Sequence, residues 1–261
     1  MKTRETARID ALRITDGSMA SVEETVATEY SLSIMLDNQT IVTLLCTPRD
    51  LEWLGAGYLL SEGLIQSRTD IDSISLNESD GTINFVISQD RDAGSAASSS
   101  RCIASSGWRG SALQRIDIDH IKITSPVKIY SSDVFAMMED FQNRSQVFKQ
   151  TGGVHSAALC DTRSIQLFCE DLGRHNAIDK VLGGCLLEGI PLDEKIIMTS
   201  GRVSSEILLK VASRYTGILI SKSAPTDVAV KLANHIGITL IGFVRGRKMN
   251  IYAGSHRVIT L

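Results

Sequence analysis

Between Tyr30 and Cys46 the sequence YSLSIMLDNQTIVTLLC alternates apolar and polar residues on either side of Asp37-Asn38. A period of two puts one set of side chains on each face of an extended chain, and Asp-Asn suits a tight turn, so this stretch predicts an antiparallel hairpin. Thr47-Pro48-Arg49-Asp50 follows directly and reads as an N-cap, a proline at the first helical position and an acid in the first turn. The helix it opens runs through LEWLGAGYLLSEG, stops at Gly63 and is predicted to lie on the sheet as an amphipathic element. A further strand at TINFVIS, residues 82–88, completes a small α+β unit.

Residues 89–111, QDRDAGSAASSSRCIASSGWRGS, have no period that could bury a face and predict a mobile loop, one that carries a cysteine and a tryptophan among its serines. Beyond it the pattern changes. A helix is predicted from about Ser132 to the stop at Gly152-Gly153, then short strands at VHSAALC and IQLFC and a helix over HNAIDKVLGGCLLEG. Strand KIIMTS, helix SSEILLKVASRY, strand GILIS, a helix opened by Ala224-Pro225-Thr226 and closed at Gly237, and strand ITLIGFV follow in turn. Such alternation means βα crossovers on a parallel or mixed sheet, so the fold class is α/β, α+β overall. With 261 residues, we divide the chain into a smaller α+β part, residues 1–125, and a larger α/β part, residues 126–261.

Composition narrows the function. Hydrophobic residues at 43% suffice for a core without disulfide or metal staples, and a net charge of −3 argues against wholesale wrapping of nucleic acid. Any anion site must therefore be local. No stretch approaches eighteen apolar residues and the N-terminus lacks a continuous apolar region, so a soluble cytoplasmic protein without a membrane role is expected. The five cysteines are odd in number, widely spaced and without a C-x-x-C pair, unlike a secreted disulfide framework.

Several strand ends in the second half run into small and polar turns: Thr151-Gly152-Gly153-Val154-His155, Glu170 to Asn176, Ser200-Gly201-Arg202-Val203-Ser204 and Ser223-Ala224-Pro225-Thr226. Glycine permits close approach of an anion, N–H groups at a helix start point at it, and arginine grips phosphate bidentately. Four such turns on one sheet edge predict a phosphate or nucleotide site, with His155, Arg174, His175, Ser200, Gly201 and Arg202 as candidates. The alternative for any one turn is that its hydroxyl is only an N-cap. Phe243-Val244-Arg245-Gly246-Arg247-Lys248 ends a strand with three positive charges around one glycine, which makes an anion clamp with Phe243 against a base, or a solvated hairpin turn.

Metal and thiol chemistry remain to be weighed. His155 and His175 have no partners at zinc-like spacing, so no tightly bound metal is expected. Cys46, Cys160, Cys169 and Cys185 lie in apolar strands or helices and read as small buried hydrophobes. Cys102 differs: it lies in the loop beside Arg101, whose charge favours the nucleophilic thiolate, the alternative being a chance loop thiol.

The turns just quoted, together with Glu170-Asp171-Leu172-Gly173-Arg174-His175-Asn176-Ala177-Ile178-Asp179-Lys180, Gly242-Phe243-Val244-Arg245, Thr47-Pro48 and Gly57 to Ile65, resemble in order and spacing the signature of the FdhD family of formate dehydrogenase accessory sulfurtransferases. The resemblance covers about residues 40–257. It implies a cytidine deaminase-like second domain, a homodimer, and a sulfur carrier. Such a carrier takes sulfur from a cysteine desulfurase to bis-molybdopterin guanine dinucleotide before insertion into the formate dehydrogenase catalytic subunit. GDP is then the natural mimic of the cargo, and Phe243 to Lys248 its expected contact. Deaminase chemistry is not expected, because Ala157 stands two residues after His155, where a zinc deaminase needs glutamate, and no P-C-x-x-C occurs.

The chain departs from the family at one place. Members carry a serine-rich loop ending in C-G-x-C-G, and the matching stretch here is Ser106-Gly107-Trp108-Arg109-Gly110, so Ser106 and Arg109 occupy both cysteine positions. A serine hydroxyl cannot hold sulfane sulfur. Cys102 lies four residues upstream, within reach of the same space at about 3.3–3.6 Å per extended residue. Two readings follow: sulfur transfer with Cys102 as the carrier, or a cofactor-binding chaperone that has lost transfer. Whether the protein is an enzyme stays open.

Overall fold

The computed structural model describes residues 4–88, 121–214 and 216–260, together with the backbone of 101–102. The predicted loop 89–111 lies outside the described residues except for that backbone pair. Along the first half run β1 (Thr6–Thr15), β2 (Ser18–Ala27), β3 (Tyr30–Leu36), β4 (Gln39–Cys46), α1 (Leu51–Ser61), β5 (Ile71–Asn77), β6 (Thr82–Ile87) and β7 (Arg101–Cys102). The second half holds β8 (Ile129–Tyr130), α2 (Ser131–Arg144), α3 (Gln146–Thr151), β9 (His155–Cys160), β10 (Ile165–Asp171), α4 (Arg174–Glu188), β11 (Ile196–Thr199), α5 (Ser205–Ala212), β12 (Ile218–Ser221), α6 (Asp227–Ile236), β13 (Thr239–Arg245), β14 (Lys248–Ala253) and β15 (Val258–Ile259).

Two mixed sheets dominate. One has five strands in the order β5-β6-β3-β4-β7, the other six in the order β10-β9-β11-β12-β13-β14. The hairpin expected around Asp37-Asn38 is present as β3 and β4, both turn residues taking positive φ, 48° and 64°. In the six-stranded sheet alternate residues serve two cores. Leu159, Ile197, Leu219 and Leu240 join α1, α4, α5 and α6 on one face, while Ala158, Met198, Ile220 and Ile241 join Val134, Met138 and Phe141 of α2 on the other. The first core is continuous from Leu32 and Phe85 of the five-stranded sheet through Leu54 to Ile178 and Leu219.

Helix α1 is buried nearly all round rather than amphipathic, because it lies between the five-stranded sheet and α4. The two helices approach until backbone meets backbone. A Cβ on Gly57 would stand 1.8 Å from the Asp179 carbonyl oxygen, and one on Gly183 would stand 1.9 Å from that of Trp53. The seam is pinned by buried ions on either side of it. Lys210 Nζ pairs with Asp179 at 2.6 Å while Ser61 donates to the other Asp179 oxygen, also at 2.6 Å. Lys180 Nζ meets Asp171 at 2.7 Å with both side chains fully buried, and also bonds the Thr47 hydroxyl and the Glu170 carbonyl.

Two further expectations need correction. Thr47 is not an N-cap: its N–H and hydroxyl are drawn to the buried Asp171 carboxylate, and α1 starts four residues later, behind Asp50 in a left-handed conformation. The single helix from Ser132 is two, α2 and α3, broken at Ser145 (ψ 72°), whose hydroxyl turns to Phe141 O and Ser156 Oγ. Residues 6–27, for which no element is predicted, form a two-stranded ribbon around Asp16-Gly17 that exposes Leu12, Ile14 and Met19.

The seam and the buried pair each yield a test. G183A should cost about 3 kcal/mol or more in urea unfolding, because the clash with Trp53 outweighs the roughly 1 kcal/mol that alanine gains in a helix. K180M leaves the Asp171 charge uncompensated and should cost about 3–5 kcal/mol. The double variant D171N/K180M should be less destabilised than the sum of its two single changes, since a neutral amide needs no countercharge; strict additivity would show that the pair is not coupled.

Candidate functional site

Five segments converge at one edge of the six-stranded sheet. β11, β12 and β13 run parallel and end there, and the antiparallel neighbours bring the start of β9 and the end of β10 to the same place, with Asp171 opposite His155. Carboxyl ends of parallel strands are where loops open toward helix N-termini, and ligands of such sheets lie there. A cavity of about 560 Å³ occupies this edge, roofed by the end of α2 and by α3.

Its lining is cationic and aromatic. Lys149, with its ammonium bonded to the Asn143 carbonyl oxygen at 2.9 Å, Lys222 and Arg245 are among its lining residues, Phe141 and Phe148 form its apolar side, and His155, Ser200 and Ser223 add polar atoms. No carboxylate lines it among the described residues. Lys222 Nζ stands 6.0 Å from the Phe148 ring centroid, a distance at which cation and aromatic face attract. Ser200 Oγ accepts the Ser156 N–H at 2.9 Å and lies 3.4 Å from His155 Nδ1, which fixes both side chains at the rim.

Behind the rim lies a second positive group. Arg174 opens α4, whose N-cap residue Gly173 offers no side-chain cap and whose first turn holds no acid. The stem of Arg174 lies against Gly201, where an added Cβ would come within 2.9 Å of it, so glycine is needed there. Its buried Nε has no hydrogen-bond partner. Burial and the Arg174 and Arg202 charges together hold the His155 pKa below the usual histidine range, with Asp171 opposing. Burial, aided by Lys210, Arg174 and His155, lowers that of His175 to about 3. Both imidazoles are therefore neutral at pH 7, and His175 Nε2 lies 3.7 Å from Glu206.

The predicted residues thus divide. His155, Ser200 and Arg245 line the cavity, and Arg174, His175 and Gly201 stand together behind its rim with Arg202 close enough to act on His155. The basic turn is the β13–β14 hairpin, with Arg245 paired to Lys248 across Gly246 at φ 56°. Phe243 interrupts β13 at a bulge with φ 52°, an uncommon conformation for an aromatic residue; it is 38% exposed, and the Arg245 guanidinium stands 5.2 Å from its ring centroid. Val244 turns into the core, while Arg247 and Lys248 are exposed at the tip. Of the hydroxyls in the predicted turns, Ser204 and Thr226 are indeed N-caps, of α5 and α6. Phe141, Phe148, Lys149 and Lys222 were not singled out. Lys222 directly precedes a quoted turn, and Lys149 lies three residues before Gly152.

Thiols occupy a different setting. Cys46, Cys160, Cys169 and Cys185 are free and buried, as their apolar surroundings predicted. Burial pushes Cys160 and Cys185 up to about 12 and also raises Cys46 and Cys169, so none presents a thiolate at neutral pH. The Cys102 backbone pairs with Thr43 in β7, parallel to β4. Ser106 and Arg109 lie outside the described residues. Among the described residues no group of three or more His, Cys, Asp or Glu could hold a metal ion, and no helix is long and apolar enough to cross a membrane.

Known proteins resemble this chain over nearly its whole length. A sulfur carrier protein FdhD from Listeria innocua is 39% identical over 250 residues, covering 94% of this chain and 96% of the relative. The protein of that name from Bacillus subtilis is 39% identical over 260 residues, 99% of each chain. A crystal structure described as a candidate formate dehydrogenase accessory protein from Desulfotalea psychrophila superposes with a TM-score of 0.82 at 24% identity, over 98% of this chain and 100% of that one, and so shares the fold. The model of the FdhD/NarQ family matches residues 27–259, and the chain therefore belongs to that family.

Proposed function

We propose that this protein is a formate dehydrogenase accessory protein of the cytoplasm, acting as a homodimer. It holds the guanine dinucleotide form of the molybdenum cofactor as cargo and passes sulfur to it from a cysteine desulfurase before insertion into the catalytic subunit. The names of the relatives support the carrier role. The observation that carries the cargo reading is a cavity without a lining carboxylate among the described residues, with Lys149, Lys222 and Arg245 beside Phe141 and Phe148. Its volume is that of a nucleotide-sized pocket. Lysines and arginine without a lining carboxylate suit phosphate oxygens, and an aromatic wall suits a purine.

Sulfur carriage falls to Cys102 by the chemistry of the alternatives, because the four described cysteines are buried and held as thiols. Its strand runs the same way as β4, which leads into Thr47, and Thr47 is bonded to Asp171 at the edge that bears the cavity. In the transfer step the Cys102 thiolate attacks the outer sulfur of the desulfurase persulfide, a new S–S bond forms, and the desulfurase cysteine leaves as thiolate. The absence of a C-x-x-C pair favours a second reading, a chaperone that binds the cofactor without transferring sulfur.

Two measurements separate these readings. Incubation with a cysteine desulfurase and cysteine should add one sulfur atom to the mass, mapped to Cys102 and absent from C102A; an unmodified protein that still binds GDP would establish the chaperone. K222A and R245A should each weaken GDP binding about tenfold in calorimetry while leaving the melting temperature within about 2 °C, and unaltered affinity in both would move the nucleotide elsewhere.

A further inference from the structure

The roof of the cavity is a separate piece of helix whose position depends on one carboxylate. α3 spans only Gln146–Thr151, between Ser145, where the backbone leaves helical geometry, and Gly152 in the left-handed region at φ 65°. It carries Phe148 and Lys149 to the cavity, and the residues after it, Gly152 and Gly153, complete that wall. A helix of six residues does not hold itself together in water, and its first N–H groups have no partner within it. Glu170, 9% exposed at the end of β10, supplies both missing acceptors: Oε2 accepts the Val147 N–H and Oε1 the Phe148 N–H, each at 3.0 Å. Its neighbour Asp171 is fixed by Lys180 and Thr47, so the carboxylate that holds α3 stands on one of the best anchored points of the sheet.

We infer that Glu170 is a positioning residue for the ligand site: through the two α3 amides it sets where Phe148 and Lys149 stand, without lining the cavity itself. A charged acceptor makes hydrogen bonds about twice as strong as a neutral one, and negative charge at a helix start is favourable. The isosteric amide forfeits both advantages and turns an N–H₂ toward one of the two donors. The effect on affinity rests on the nucleotide reading above. The placement of α3 does not.

The test has two arms. In hydrogen–deuterium exchange of the ligand-free protein, E170Q should speed exchange across residues 145–153 about tenfold while β9 and β11 keep their protection. Unaltered exchange in 145–153 overturns the assignment. Should E170Q fail to fold, E170D, which keeps the charge but is one methylene shorter, takes its place with the same selective loss expected. In GDP titrations E170Q should weaken binding about tenfold alone and not at all in the F148A/K149A background. Equal losses in both backgrounds would show that Glu170 does not act through α3. If the parent protein takes up no GDP, the nucleotide reading fails and the exchange arm alone decides the role of Glu170.

Discussion

The buried carboxylate of Asp171 is the point on which the ligand edge depends. One oxygen takes Lys180 Nζ together with the N–H and hydroxyl of Thr47, the other takes the Gly173 N–H and the Asn176 amide. A fully buried charge is tolerated only when it is paired and its remaining lone pairs are bonded, and here Lys180, the Thr47 and Gly173 N–H groups and the Asn176 amide meet that requirement, with the Thr47 hydroxyl shared between Asp171 and the Glu170 carbonyl. The donors come from the exit of β4, the turn after β10 and the first turns of α4. A single group thus fixes where one sheet ends, where the other ends and where α4 begins, and with α4 it fixes Arg174 and His175.

Glycine makes that geometry possible one layer further in. α1 and α4 could not bring Asp179 and Lys180 to their partners if side chains stood at Gly57 and Gly183, since each would meet a carbonyl oxygen at less than 2 Å. The same close approach brings Ser61 of α1 to Asp179 and the Thr47 turn to Lys180. The apolar core then fills in around a polar seam, from Leu54 and Leu59 on one helix to Ile178 and Val181 on the other.

Much of this was legible in the sequence, for local reasons. Asp37-Asn38 suits φ > 0 at both turn positions, and Thr226 and Gly237 cap α6 as their residue types predict. The small and polar turns do gather at one sheet edge, beside the cavity, and they are legible because glycines and hydroxyls at strand ends are visible one segment at a time. What escaped depends on partners distant in the chain. Thr47 looks like an N-cap until Asp171, more than a hundred residues on, takes its hydroxyl. Ser145 looks like helix interior until Ser156 draws it out. Lys149 and Lys222 carry no local signal, and only the crossing of β9, β12 and α3 makes them neighbours. The β1–β2 ribbon was a different kind of miss, since Asp16-Gly17 is a strong hairpin signal that its mixed flanking pattern obscured.

The charge at the site follows from where the acids of this edge point. The chain carries three more negative than positive charges, yet the cavity is cationic. Glu170 is committed to the amides of α3, Asp171 to Lys180 and its neighbours, and Asp179 to Lys210 and Ser61. Each of these three acids is thereby held by an inward partner and takes no place in the lining, to which Lys149, Lys222 and Arg245 belong. The interactions that hold the fold together at this edge are therefore also those that keep negative charge out of its ligand site, and the two roles cannot be separated by changing any one of these acids alone.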